Sequence, residues 1–200
     1  MSARTGCLVA LGAILLIALI AGVSLWGTYN SLVTSSEGVD NSWAQVENVL
    51  QRRADLIPNL VETVKGFAQQ EQDVLIAVTE ARAKVGQTQL PPDMLNDEEA
   101  FRRFEQNQAE LSGALSRLLV VVEQYPELRS NQNFLALQSQ LEGTENRIAV
   151  ARRDYVEAVQ RYNTEIRTFP GRLWAMVYGA EPKANFAASA GAEQAPRVSF

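Results

Sequence analysis

Asp55 and Glu62 stand seven residues apart. That spacing puts two side chains on roughly one face of an α-helix, and paired carboxylates can do general acid–base work. Arg52 and Arg53 lie directly beside them, so an ion-paired, solvated face explains the cluster without catalysis and is the favoured reading. Glu142, Glu145 and Arg152 repeat the theme: Glu145 and Arg152 are again seven apart, and Glu142 shares a face with Glu145. A di-iron carboxylate bundle would pair each such glutamate with a histidine three residues on. The chain has no histidine and a single cysteine, Cys7. Histidine triads, histidine-containing zinc sites, intrachain disulfides and cysteine-cluster metal sites are therefore impossible within one chain. Nothing marks an all-oxygen cation site. No catalytic, cofactor-binding or metal-ligating residue is assigned, and no cofactor or enzymatic activity is expected.

The arginines suit a structural role. A guanidinium makes forked hydrogen bonds adapted to semi-buried pairing, and Arg52-Arg53 and Arg152-Arg153 can reach carboxylates on neighbouring helices. Tyr155 and Tyr162, seven apart, read as core residues. No phosphate-binding loop, dinucleotide fingerprint or nucleophile elbow occurs, and no serine has a basic partner at activating spacing. The 18 Lys and Arg against 23 Asp and Glu are interleaved, which argues against a nucleic-acid partner.

These residues must be positioned by the elements around them, and the first element is apolar. Cys7 to Trp26 is a run of 20 residues without a charge. A helix rises ~1.5 Å per residue, so such a run matches the ~30 Å hydrocarbon core of a bilayer. Trp26 and Tyr29 fall at its far end, where aromatic rings favour the interface. A cleaved signal peptide is the alternative, with Gly22-Val23-Ser24 as its small-x-small site. Signal h-regions are usually ~7–15 residues, so a retained anchor is favoured. The run follows Cys7 rather than preceding it, which excludes a lipobox. Arg4 lies before the span, and Gly27 to Gln51 contains no Lys or Arg. This charge bias favours a cytoplasmic N-terminus with the remaining chain outside the cytoplasm; the opposite orientation stays open.

The rest reads as all-α. Trp43, Val46, Leu50, Ile57, Leu60 or Val61, Val64 and Phe67 advance in steps of three and four, the seam of a bundle or coiled coil. Pro58 interrupts this run. A break is favoured over a kink, giving helices at about 27–54 and 56–86 with Asp55 as a cap. Gly86 to Asn96 reads as a connector stiffened by Pro91-Pro92, and Asn96 with Glu99 has capping-box spacing. A further run, Phe101 to Val122, ends at Tyr125-Pro126. The strongest pattern, Phe134 to Phe169, stops at Pro170-Gly171. Residues 1–6 form a short tail, 7–26 the span, 27–178 the helical bundle, and 179–200 an Ala-rich tail expected to be mostly disordered.

The residues also resemble a known family. Tyr29-Asn30, Trp43-Ala44-Gln45-Val46 and the block RRADLIPNLVETVKGFA from Arg52 to Ala68 are similar to the LemA family of bacterial membrane proteins. FLALQ from Phe134, LEGTENRIAVARRDY from Leu141 to Tyr155, Phe169-Pro170-Gly171 and the closing PRVSF from Pro196 agree in colinear order. Two departures are minor. Gln70 stands where the family often has histidine, and a longer aromatic-rich piece is reduced to Asn185-Phe186. The resemblance implies an N-terminal transmembrane helix followed by an antiparallel four-helix, up-and-down-like bundle in the bacterial inner membrane. It supplies no reaction. The expectation is a non-enzymatic scaffold of the cell envelope. Its partners would be the lipid bilayer, further copies of itself and other membrane proteins. The alternative is an adaptor or regulator of a neighbouring membrane protease or sensor, acting through the Arg52, Arg53, Asp55, Pro58, Asn59 and Glu62 segment.

Overall fold

The computed structural model describes residues 3–68, 70–87 and 94–186, with the backbone alone at residues 3–10, 17, 21 and 87. Every regular element among the described residues is helical. The order is α1 (Ala3–Lys65), α2 (Gln72–Gln87), a single 3-10 turn (Met94–Asn96), α3 (Glu98–Val122), α4 (Pro126–Arg129), α5 (Gln132–Glu165) and α6 (Gly171–Tyr178). Pro91-Pro92, the side chain of Cys7 and the tail from residue 187 lie outside the described residues. The chain divides into two compact units, Met1–Asn41 with Ala158–Pro182 and Ser42–Glu157 with Lys183–Phe200. Both α1 and α5 contribute to each.

In the first unit, α1 presents an apolar surface. Leu11, Ile14, Leu15, Leu16, Leu19, Ile20 and Val23 are all more than half exposed. This is the one helix among the described residues long and apolar enough to cross a membrane. It continues past Trp26 without a break. Ala158, Val159 and Tyr162 on the last turns of α5, and Ile166 just after it, are buried. The Ser35 hydroxyl of α1 donates to the Glu165 carboxylate of α5. The peptide Phe169–Pro170 is cis. Gly171 then opens α6 so close to α5 that a Cβ there would sit 2.3 Å from the Glu165 carbonyl oxygen, a separation no side chain tolerates. Gly179, in the left-handed region at φ 65°, closes α6.

In the second unit the seam of α1 is buried at Trp43, Val46, Leu50, Ile57, Leu60 and Val64. The favoured break at Pro58 does not occur: α1 runs through it to Lys65. Pro58 lacks the N–H that would pair with the Ala54 carbonyl one turn earlier, and Arg82 Nε of α2 donates to that carbonyl at 3.0 Å. The helix ends instead at Gly66-Phe67, which leaves Phe67 exposed rather than in the seam. Gly86 does not stop α2, which continues to Gln87. The cap of α3 is Asp97 rather than Asn96, because Asn96 belongs to the preceding 3-10 turn; the Asp97 carboxylate accepts from the amides of Glu99 and Ala100.

Contacts fix the direction of each helix in this unit. Trp43 of α1 meets Phe104 of α3 and Tyr155 of α5 at ring-centroid distances of 5.4 and 5.3 Å. Ten residues on, Arg53 meets Gln108 and Ser112 of α3 and Glu145 of α5. Thus α3 advances with α1, and α5 runs against both. The start of α2 lines a groove with Val61 and Lys65, and Arg82 near its end reaches Ala54, so α2 also runs against α1. A core of aliphatic residues, including Ile57, Leu60, Val78, Leu111, Leu118 and Leu141, fills the space between them.

The expected disorder from residue 179 is corrected at its start. The Ala184 amide donates to the Leu95 carbonyl at 2.6 Å, and its carbonyl accepts from the Tyr155 hydroxyl at 2.8 Å. Phe186 packs edge-on against Phe101 and Tyr155. One aromatic side chain anchors a stretch whose composition alone reads as unstructured.

Candidate functional site

The polar residues singled out in the sequence separate once the helix is formed. A helix turns about 100° per residue, so adjacent Arg52 and Arg53 face different ways. Arg53 falls on the seam, between Leu50 and Ile57, and is 2% exposed. Arg52, Asp55, Pro58, Asn59 and Glu62 fall on the outer faces and are exposed. The Asp55 carboxylate accepts from Gln51 Nε2 at 2.8 Å, and Glu62 pairs with Lys65 at 3.7 Å. Both carboxylates are engaged with neighbours on their own helix.

Arg53 organises a polar layer inside the second unit. Its Nη1 donates to Ser112 Oγ at 3.1 Å and to Glu145 Oε1 at 3.0 Å, and its Nη2 donates to Gln108 Oε1. Gln108 is itself buried on the seam of α3, and Thr144 on the seam of α5. Thr144 directs its hydroxyl to the Gln140 carbonyl at 2.7 Å. Three helices therefore place polar side chains at the same seam level. A buried guanidinium without partners costs several kcal/mol, and here one arginine ties α1 to α3 and α5 through charge-assisted bonds.

Arg152 stands one step outside this layer, half-buried on α5. Its guanidinium lies 4.7 Å from the centroid of the Phe186 ring, a cation–π contact. Burial, and next the positive charge of Arg53, pull its pKa below the ordinary arginine value; Glu105 and Glu145 act in the opposite direction. The Nε atoms of Arg53 and Arg152 are buried without a hydrogen-bond acceptor. Glu142 does not join the layer. It is exposed and accepts from Gln138 Nε2 at 3.0 Å. Arg153 pairs with its neighbour Asp154 at 3.4 Å on the surface.

Gln108 and Ser112 escaped the sequence reading. The signal for Gln108 was its place in the three-and-four spacing between Phe104 and Leu111, where an apolar residue is due. Among the described residues, no group of three His, Cys, Asp or Glu side chains is placed to hold a metal. A groove of about 530 Å³ on the outer face between α1 and α5 is lined by Arg52, Asn48, Arg147 and Asp154, among others. It gathers two guanidinium groups, amides and a carboxylate on an open surface around the apolar side chains of Val49, Val150 and Ala151.

Comparisons with known proteins bear on this arrangement. The LemA family model matches residues 42–200. Magnetosome protein MamQ 2 and Magnetosome protein MamQ 1 of Paramagnetospirillum magneticum are each 29% identical over 167 residues, covering 76% of this chain and 61% of theirs. Magnetosome protein MamQ of Magnetospirillum gryphiswaldense is 27% identical over 184 residues, covering 84% of this chain and 68% of its own. The chain thus spans less than two thirds of the length of the two Paramagnetospirillum proteins.

Proposed function

The chain belongs to the LemA family, and from that premise we propose that it is a non-enzymatic scaffold of the bacterial cell envelope, anchored by the apolar part of α1 and self-associating through its helical surfaces. The observation that carries this reading is the engagement of Arg53. It is the one polar residue of the Arg52–Glu62 segment placed in a buried, low-dielectric setting where chemistry is strongest. There its two terminal nitrogens are committed to Gln108, Ser112 and Glu145 on other helices. Its work is to hold helices in register. The remaining polar residues of the segment face outward, where they are available to another protein.

Anchoring supports self-association on physical grounds. Confinement to a bilayer raises the effective concentration of copies, so weak side-by-side contacts become productive. The exposed apolar stretch from Leu11 to Val23 supports a single membrane crossing, with the inner membrane as its location and an extracytoplasmic helical unit favoured. Crosslinking in intact membranes tests the proposal: species larger than one chain are expected, and a strictly monomeric protein opposes it.

The groove beside Arg52 favours a second reading, an adaptor for a neighbouring membrane protease or sensor. Charge reversal at Arg52 and Arg147, both exposed, should abolish capture of such a partner while leaving the fold intact. Unchanged capture opposes this reading.

A further inference from the structure

We infer that α6 is an interfacial helix that lies in the headgroup region of the bilayer beside the point where α1 leaves it. The inference rests on the reading of α1 as a membrane span.

Helix α6 and Phe169 just before it present an outward apolar surface. Phe169 is 80% exposed, and Met176 and Val177 are 68% and 71% exposed. Leu173 and Tyr178 are also exposed. Five large apolar or aromatic residues within ten positions form a concentration that soluble surfaces rarely carry without a partner. The opposite side of α6 is held down by Ala175 and Gly171, which are buried.

What covers this surface follows from where α6 is attached. Trp174 Nε1 donates to the main-chain carbonyl of Leu25 at 2.9 Å. Tyr29 of α1 packs against Trp174 and Tyr178 with centroids 5.6 and 5.4 Å apart. Leu25 and Trp26 close the apolar run of α1, and Trp26 is itself 71% exposed. The attachment therefore sets the apolar surface of α6 at the same level as the end of the span. The aromatic cluster of Tyr29, Trp174 and Tyr178, with exposed Trp26 nearby in sequence, has the composition of a membrane-interface belt. Arg167 and Arg172, both exposed, flank Phe169 in sequence and suit lipid phosphates. The exposed face continues the surface that α1 already offers to lipid, and the occupant is the bilayer interface. Amphipathic helices of this kind bury their apolar face at the boundary of headgroups and acyl chains.

The test uses the full chain with Cys7→Ser, reconstituted in nanodiscs of phosphatidylethanolamine and phosphatidylglycerol. Single spin labels are placed at Met176→Cys, Val177→Cys, Gln160→Cys and Leu16→Cys. Collision with oxygen, which concentrates in lipid, is compared with collision with a water-soluble nickel chelate. The labels at 176 and 177 should show a severalfold higher oxygen-to-nickel ratio than the label at exposed Gln160, approaching that at Leu16. Labels at 176 and 177 as accessible to nickel as Gln160 overturn the inference, and so do labels shielded from both probes, which would mean a protein partner. A lipid-like Leu16 in either case leaves the span intact, so the failure is confined to α6. An aqueous Leu16 overturns the span and the interfacial helix together.

Discussion

Arg82 donates its Nε–H to the carbonyl of Ala54 at 3.0 Å, the carbonyl that Pro58 leaves without a helical partner. This contact explains how α1 passes through a proline that ordinarily ends or kinks a helix. The imide costs one helical hydrogen bond, and a side chain from α2 restores it.

The contact predicts a coupled pair. Arg82→Met should lower stability by about 1–2 kcal/mol, the usual cost of leaving a partly buried carbonyl unsatisfied. In a Pro58→Ala background the restored amide can serve Ala54, so the same substitution should cost less than half as much. Denaturant unfolding of the four proteins in detergent gives the coupling as a double-mutant cycle. Strict additivity would show that Arg82 does not stand in for the missing amide.

The buried layer predicts an asymmetry between breaking and replacing it. Arg53→Met alone should destabilise by roughly 2 kcal/mol, because it strands buried Gln108; the half-exposed Glu145 is screened by water and contributes less. Adding Gln108→Leu should recover much of the loss by making the layer apolar on both sides. Thermal unfolding checks the order of the three stabilities. A double variant less stable than Arg53→Met would contradict it.

The two arginines show which parts of this arrangement were legible in the sequence. The three-and-four spacing located Trp43, Val46, Leu50, Ile57, Leu60 and Val64 correctly, since burial of apolar residues follows helical period. The same spacing passes through Arg53 and, on α3, through Gln108. A polar residue there looks like a gap in the pattern, so residue type pairs Arg53 with its neighbour Arg52 while helical phase pairs it with Leu50. The continuity of α1 is only half legible: the apolar phase passes through Pro58 unbroken, but the group that completes the helix, Arg82, lies 28 positions away. Phe186 was hidden for a similar reason: its partners Phe101, Tyr155 and Arg152 are distant in sequence and its neighbours have no period. The cap of α3 was missed by one residue, since the 3-10 turn that displaces it leaves little mark on composition.

The start of α3 should respond to acid. The Asp97 pKa is lowered from its ordinary 3.8, chiefly by the Ala100 amide, against the opposing effect of burial. A depressed carboxylate contributes stability that is fully present above its unfolded pKa and is lost as pH falls through the folded value. Melting temperatures of the native chain and Asp97→Asn should therefore differ most above about pH 4 and converge below it. A gap that widens on acidification would contradict this sign.

Phe186 should matter despite its place in an Ala-rich stretch. Phe186→Ala removes a ring from Phe101, Tyr155 and Arg152, and a partly buried aromatic of this kind contributes about 1–3 kcal/mol. Phe186→Leu should retain part of that. Hydrogen exchange at residues 183–186 should rise in the alanine variant while the α1 seam near Val46 stays protected. Unchanged protection at 183–186 would show that the ring does not dock the segment.

A self-associating scaffold must form species larger than one chain in a bilayer. Full-length chain carrying a photo-crosslinker at Arg52, on the exposed face of α1, can be irradiated in intact membranes at native abundance and its products identified by mass spectrometry. Crosslinked dimers or larger homo-oligomers are the predicted outcome. A monomer alone, with no self-crosslink from this or other exposed positions, would contradict the scaffold reading.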